Sequence, residues 1–183
     1  MVCAGNHGLE IRGPGVSFLH PEAAGARPAL DRVKKEWTAL LPRFRGTLVE
    51  DKGLSVTFHY RRVHPSLAEE ARNEALAAAR RTGEKEELRI TGGKMVVEVR
   101  PSVQWGKGEA LRYLLGRWGY RRDSDLAVVI GDDETDRDMF GPVRSRGLAV
   151  FVGSGKAPAE ANGRLRGPAE VRHLLRRAAR PRR

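Results

Sequence analysis

Apolar and polar positions change period several times along this chain, and each change marks an element. Leu30, Val33, Trp37, Leu40 and Leu41 recur at helical spacing, and Pro42 ends that helix. Gly46 to Glu50 and Ser55 to Tyr60 are strand-like runs parted by Asp51-Lys52-Gly53, a hairpin with Gly53 at the position needing positive φ. Pro65 and Ser66 open a second helix that runs through Ala-rich sequence to Arg81, with Gly83 just past its end. Leu88 to Thr91 and Met95 to Arg100 flank Gly92-Gly93 as another strand pair. Residues 29 to 100 thus read helix, hairpin, helix, hairpin. That order predicts a small sheet with both helices on one face, an α+β layer.

After Pro101 the pattern changes. Lys107 to Trp118 predicts a helix with Ala110, Leu111, Leu114, Leu115 and Trp118 inward, closed by Gly119. Leu126 to Ile130 is a continuous apolar run, the pattern of a strand buried on both faces of a parallel sheet, and Gly131 ends it. A short helix to Phe140, a strand from Gly147 to Gly153 and a last helix from Pro168 to Ala179 follow. Helix alternating with buried strand predicts a parallel sheet with helical layers. Nearer the N-terminus, Pro21 to Pro28 is rich in Ala, Gly and Pro and reads as a connector. In Met1 to Ile11, Gly5 and Gly8 bracket Asn6 and His7, a loop of the kind that holds ligands.

Composition narrows the function classes. A length of 183 residues with 40% hydrophobic content suits one medium domain or two small ones with a real core. The net charge of +11 comes mostly from arginine, but the basic residues are scattered rather than gathered into a stripe with interleaved aromatics. The one dense run is the tail Arg176 to Arg183, expected to be solvated and frayed. Nucleic-acid binding is therefore not predicted. Cys3 is the only cysteine, which excludes an internal disulfide and argues against a cysteine-based metal site. No apolar run approaches membrane-spanning length, and no basic segment followed by an apolar core opens the chain. A soluble, cytoplasmic protein is expected. His20, His59, His64 and His173 lack metal-like spacing and receive no role.

The candidate chemistry follows the buried strand. Asp132, Asp133 and Asp136 gather at its carboxyl end, where open α/β sheets place their ligands. Crowded carboxylates repel one another unless a cation joins them, and oxygen ligands of this kind suit Mg²⁺. The competing reading is an acidic turn that caps the next helix, with Glu134 and Asp136 near its positive end. Lys107 stands at a helix start, where the dipole disfavours a cation, so a surface lysine is the weaker reading.

Five segments occur in a telling order: GNHGLEI at Gly5, VEDKG at Val49, GGKMVVEVRP at Gly92, WGKGEAL at Trp105 and GDDETDRDMF at Gly131. From residue 5 to about 155 the chain resembles the trehalose-6-phosphate phosphatases, members of the haloacid-dehalogenase-like phosphohydrolases. The acidic motif is shared by that whole superfamily, whereas GNHG, the Glu-x-Lys of the first hairpin and GGKMVVEVRP are more specific. The resemblance implies an α/β fold, a partial haloacid-dehalogenase-like parallel-sheet core with an inserted α+β cap. Residues 1–19 would be a remnant of the first half of the core and 20–100 the sugar-recognising cap. Residues 101–175 would be the second half of the core, and 176–183 a basic tail. It also implies hydrolysis of trehalose 6-phosphate to trehalose and phosphate through an aspartyl-phosphate, with Mg²⁺ bridging phosphate and carboxylates.

Residue by residue, Asp132 matches the family's metal-binding aspartate and Asp133 its supporting partner at the metal, while Lys107 matches the lysine that steadies phosphate and nucleophile. Asp136 would orient a metal-bound water or a neighbouring loop. Glu50, Lys52 and Glu98 match cap residues that contact glucose hydroxyls, and Asn6, His7 and Gly8 match a core loop near the same sugar. Plainer readings stay open beside these. Glu50 and Lys52 can be an exposed cross-strand charge pair, Glu98 can face solvent, and His7 can be a satisfied loop histidine. Lys94 and Arg100 read as solvated.

The family's Asp-x-Asp-Gly-Thr string, which supplies nucleophile and general acid, does not occur, nor does the Ser/Thr motif expected before GNHG. The expectation is therefore an incomplete fragment, inactive by itself, acting with a separate N-terminal fragment or a fused synthase. A non-catalytic binding remnant and another capped sugar-phosphate phosphatase, such as one for sucrose phosphate, are the alternatives. Trehalose 6-phosphate is the expected small-molecule partner, with neither nucleic acid nor membrane.

Overall fold

The computed structural model describes residues 1–83, 88–145 and 147–179. The chain divides into two compact units, Met1–Gln104 and Trp105–Arg183.

The first unit opens with β1 (Cys3–Gly5), β2 (Glu10–Gly13) and β3 (Val16–Leu19), an antiparallel meander in sequence order. The segment read from sequence as a loop is thus two strands joined by a tight 3₁₀ turn at Asn6–Gly8. Helix α1 (Pro21–Gly25) and helix α2 (Arg27–Leu40) then occupy most of the expected connector. Both start with a proline in their first positions, where the missing N–H is no loss, so proline here initiates helix rather than preventing it.

A four-stranded antiparallel sheet follows, built from β4 (Leu48–Asp51), β5 (Val56–His59), β6 (Leu88–Gly93) and β7 (Val96–Pro101) in the order β4-β5-β7-β6. Helix α3 (Pro65–Gly83) packs beside α2, and the two form the helical layer predicted for residues 29 to 100. Alternation along β5 and β7 sends Val56, Phe58, Val97 and Val99 into one core with Leu30, Val33 and Trp37 of α2 and the alanines of α3. Ala71, Ala75, Ala78 and Ala79 are small, which lets α3 come close enough for Trp37 Nε1 to donate to the Ala75 carbonyl at 2.9 Å. The Trp37 ring lies 5.7 Å from Phe58, tilted at 56°. Gly53 has φ +83°, as the hairpin requires.

The second unit contains α4 (Lys107–Arg117), β8 (Val128–Gly131), α5 (Arg137–Val143), β9 (Leu148–Val152), β10 (Gly163–Leu165) and α6 (Pro168–Ala178). Its strands form the expected parallel sheet, in the order β10-β9-β8. Val129, Phe140, Val143 and Ala149 make its core, with Leu111 and Leu115 of α4 packed against them. Two expectations fail here. Leu126 to Ile130 is not buried on both faces, since the strand begins at Val128 and Leu126 and Val128 are 72% and 46% exposed. β8 is the last strand in the sheet order, and alternate side chains of such a strand meet solvent. Trp118 does not turn inward but is 59% exposed, because α4 has already ended at Arg117 and Trp118 only caps it. The short polar β10 has no hydrophobic pattern to announce it. Of the basic tail, residues 180–183 lie outside the described residues. No described helix is long and apolar enough to cross a membrane.

These two tryptophans should behave oppositely. Trp37→Ala leaves a large void in the first unit and should cost about 3–5 kcal/mol in denaturant unfolding. Trp118→Ala, at an exposed cap, should stay within about 0.5 kcal/mol. Equal losses would contradict the packing described.

Candidate active site

In the second unit the acidic run closes on itself. After Gly131 the chain turns through a 3₁₀ turn at Glu134–Asp136 into α5. The buried Asp136 carboxylate points back, and its Oδ2 accepts the N–H groups of Asp132 at 2.9 Å and Asp133 at 3.2 Å. Its Oδ1 accepts from Lys107 Nζ at 2.8 Å. Asp133 Oδ1 in turn accepts the Asp136 N–H and the Thr135 hydroxyl, each at 2.8 Å. A Cβ on Gly131 would lie 2.3 Å from the Asp136 Cβ, so only glycine lets the loop fold back this tightly.

Lys107 is the first residue of α4, with Nζ also 3.4 Å from Asp133 Oδ2. Burial draws its pKa down, but the hydrogen bond and charge of Asp136, with Asp133 behind, outweigh burial and leave it above the usual lysine value. For Asp133, burial pushes the pKa up. The Thr135 hydroxyl, the Asp136 N–H and Lys107 overcome that and hold it below the usual carboxylate range.

Asp132 is different. Its carboxylate is exposed at the end of β8, and no side chain among the described residues bonds it. It lines two clefts of the second unit. One, of about 500 Å³, is shared with Asp133, Arg137, Phe151 and Lys156. The other, of about 530 Å³, is shared with Gly131, Gly153, Arg166 and Arg172. The three aspartates of the acidic run are therefore engaged to different degrees. Asp133 and Asp136 build the turn, although Asp136 makes no side-chain cap to α5, and Asp132 is left available. Among the described residues no three His, Cys, Asp or Glu side chains are placed to hold a metal. An available carboxylate beside a second, partly engaged one still fits a hard cation such as Mg²⁺, which binds through one or two carboxylates and fills its remaining positions with water and phosphate oxygens.

In the first unit, Asn6, His7 and Gly8 carry φ values of +47°, +59° and +89° in succession. Left-handed backbone at two non-glycine residues is costly and persists only where neighbours enforce it. The Asn6 side chain does so. Its Nδ2 donates to Glu10 Oε1 at 2.6 Å and to the Lys52 carbonyl at 2.9 Å, and Ser55 Oγ donates to its Oδ1 at 3.3 Å. Asn6 thereby clamps the loop to the β4–β5 hairpin, and His7 Nε2 reaches to 3.4 Å from Glu98 Oε2.

The strand register sets Glu50, Thr57, Glu98 and Thr91 in one row across β4, β5, β7 and β6, on the face away from the helices. His59 Nε2 lies 2.9 Å and Lys52 Nζ 3.6 Å from Glu50 Oε2. Asn6, His7, Glu50, Lys52 and Glu98 therefore converge on one polar face, while buried Gly8 contributes only its backbone. The hydrogen bond from His7, ahead of the opposing burial, holds Glu98 below the usual carboxylate range, and His59 does the same for Glu50. The Glu50–Lys52 charge pair of the plainer reading exists and is exposed, but it is not cross-strand, since Lys52 directly follows β4 and the partner across from Glu50 is Thr57.

His59 was given no role from sequence. Its signal lay in alternation, which puts it two residues from Thr57 on the polar face. Asp51 was missed too. Arg27 grips both its oxygens at 2.7 Å and Lys34 one at 2.9 Å, tying the end of β4 to α2 and holding the Asp51 pKa far below the usual range.

Comparison with known proteins concerns the chain as a whole. A family model described as trehalose-phosphatase matches residues 1–168. A trehalose 6-phosphate phosphatase of Zea mays is 33% identical over 192 residues, covering 96% of this chain and 52% of that protein. A trehalose-phosphate phosphatase of Mycobacterium marinum is 34% identical over 151 residues, covering 81% of this chain and 38% of that protein. The chain thus spans about half or less of the length of these curated relatives. The crystal structure of a trehalose-6-phosphate phosphatase related protein superposes with a TM-score of 0.74 at 23% identity, over 94% of this chain and 69% of that one, and shares its fold.

Two measurements probe the geometry. Gly131→Ala forces Asp136 from its place and should destabilise the second unit by about 1–3 kcal/mol in urea unfolding. An unchanged midpoint would mean the loop does not depend on that close approach. His7→Gln should raise the Glu98 pKa toward the ordinary value in a carbon-detected NMR titration. Because the folded pKa is depressed, the stabilisation from Glu98 is present above about pH 4.3 and is lost as pH falls through the folded value.

Proposed function

The chain belongs to the trehalose-phosphatase family, and from that premise we propose that it carries the sugar-reading face and the phosphate-side charges of an enzyme that hydrolyses trehalose 6-phosphate to trehalose and inorganic phosphate. The observation that carries this reading is a separation of chemistry. The residues matched to sugar contacts share one polar sheet face, and those matched to phosphate chemistry close around the end of β8.

On the sheet face, the Glu50 and Glu98 carboxylates accept hydrogen bonds from sugar hydroxyls, and the Lys52 ammonium donates to them. A carboxylate can hold two vicinal hydroxyls in fixed geometry, and charge strengthens each bond. His7 and His59 hold these carboxylates in their anionic form and aim them. Segment 20–100 is then the sugar-recognising cap, and segments 1–19 and 101–175 belong to the phosphatase core.

At the end of β8, Lys107 is the cation that meets the phosphate oxygens. Its raised pKa keeps it charged, and a fixed ammonium stabilises charge on the equatorial oxygens of a transferring phosphoryl group. Asp132, with Asp133 beside it, would hold Mg²⁺, which when bound neutralises phosphate charge and acts as a Lewis acid. Asp136 acts through its neighbours, fixing the Asp132 and Asp133 backbone and the Lys107 ammonium with one carboxylate.

Calorimetric titration tests the reading. Trehalose 6-phosphate should bind the chain in Mg²⁺ more tightly than inorganic phosphate does. Glu98→Ala should weaken the sugar phosphate roughly tenfold or more, the loss of a hydrogen bond to a charged group, and leave inorganic phosphate unchanged. In a chimaera with the Asp-x-Asp-Gly-Thr segment of a relative joined ahead of this chain, Asp132→Asn should nearly abolish Mg²⁺-dependent phosphate release. Equal loss of both ligands in Glu98→Ala would sink the sugar assignment, and turnover unaffected by Asp132→Asn would sink the metal assignment.

A further inference from the structure

One side chain on the polar sheet face is out of balance with its surroundings. Thr57 is 4% exposed, and its Oγ1 is buried with no hydrogen-bond partner among the described residues. Its strand neighbours Val56 and Phe58 face the helical core, so Thr57 faces the opposite way. Glu50 and Glu98 stand directly across from it on either side, and Ser55 and His59 lie two residues away along the chain. Every one of these four is engaged elsewhere. Glu50 bonds His59, Glu98 meets His7, and Ser55 bonds Asn6. The hydroxyl at the centre of the row is the group left over.

A buried hydroxyl without a partner lowers stability. Valine has nearly the same shape, suits a strand equally well and carries no such cost. A threonine here is therefore explained by a partner that arrives from outside. We propose that Thr57 is a specificity-determining residue of the sugar face, whose hydroxyl seats one sugar hydroxyl between the carboxylates of Glu50 and Glu98. This rests on the sugar-phosphate reading of that face and adds a neutral contact at its centre.

The oxygen is closed off from solvent, so seating the ligand requires a neighbouring side chain to turn. Glu50 is suited to do so, with a side chain 43% exposed and a histidine and a lysine as its partners. Two carboxylates then grip the sugar by charge, and the hydroxyl between them adds both a donor and an acceptor. Such a contact discriminates by position, since a ligand lacking that hydroxyl leaves Thr57 unpaired.

The test is Thr57→Val in the full chain, read by thermal melting and by calorimetric titration with trehalose and with trehalose 6-phosphate. The valine variant should melt a few degrees higher, because it removes the unpaired hydroxyl. It should bind both ligands roughly threefold to tenfold more weakly, the loss of one neutral hydrogen bond. Thr57→Ser, which keeps the hydroxyl, should bind within about twofold of the unaltered chain by the same argument. A lower melting temperature in Thr57→Val would show that the hydroxyl is already satisfied, by a buried water for instance, and would overturn the proposal. Unchanged binding of both ligands, or a loss confined to trehalose 6-phosphate, would overturn it as well. Failure of the unaltered chain to bind either ligand would overturn this proposal together with the sugar-phosphate reading, whereas the other failures leave that reading standing.

Discussion

Strict alternation along β5 and β7 is the constraint on which the first unit depends. Val56, Phe58, Val97 and Val99 can be buried against Trp37 and the alanines of α3 only if the intervening residues face the other way. Thr57 and Glu98 are those residues, and cross-strand pairing brings Glu50 into line with them. A slip of one residue would drive Glu98 into the aromatic core and expose the valines, at a large cost in free energy. The polar row is thus held in register by the hydrophobic effect acting on the opposite face. Polar groups placed this way are fixed in position along the strand, since moving them means repacking the core.

What remains adjustable is the orientation of each polar side chain, and that is settled by contacts distant in sequence. Asn6 clamps a left-handed loop onto the first hairpin, and the same loop carries His7 to Glu98. Arg27 and Lys34 on α2 hold Asp51, which sits between Glu50 and Lys52 in sequence but points toward the helix. Alternating residues of one short strand thereby serve two faces. Backbone strain at Asn6 and His7 is concentrated where the candidate ligand face needs a histidine, as expected where strain is part of a site.

The second unit relies on a local device instead of a layered one. Asp136 is the hub, with one oxygen for two backbone N–H groups and the other for Lys107. Three aspartates that look alike in sequence therefore differ in kind: one is buried and structural, one half-engaged, and one available. Repulsion among them is relieved by the loop's own N–H dipoles and by a single ammonium. The acidic turn is in this sense pre-organised, because backbone N–H groups together with Lys107 and the Thr135 hydroxyl fix it.

The amino-acid sequence by itself determined the order and type of most elements, the two-layer arrangement of residues 29 to 100, the parallel sheet after Pro101 and the family. All of these follow from local periodicity, turn chemistry and motif strings, which the chain carries at short range. Where it misled, the deciding fact was long-range. The apolar run at Leu126 to Ile130 is the signature of a buried strand whatever its neighbours, and only the sheet order shows that β8 lies at an edge with Leu126 and Val128 exposed. Trp118 has the spacing of an inward residue, yet its helix ends one position too early. The proline-rich connector became helix because proline forbids a helix interior and not a helix start. The Glu50–His59 and Glu98–His7 contacts, the clamp from Asn6 and the lack of a partner for the Thr57 hydroxyl among the described residues are not written in the sequence. They depend on which side chains register and packing bring within hydrogen-bonding reach, and that is a property of the tertiary structure alone.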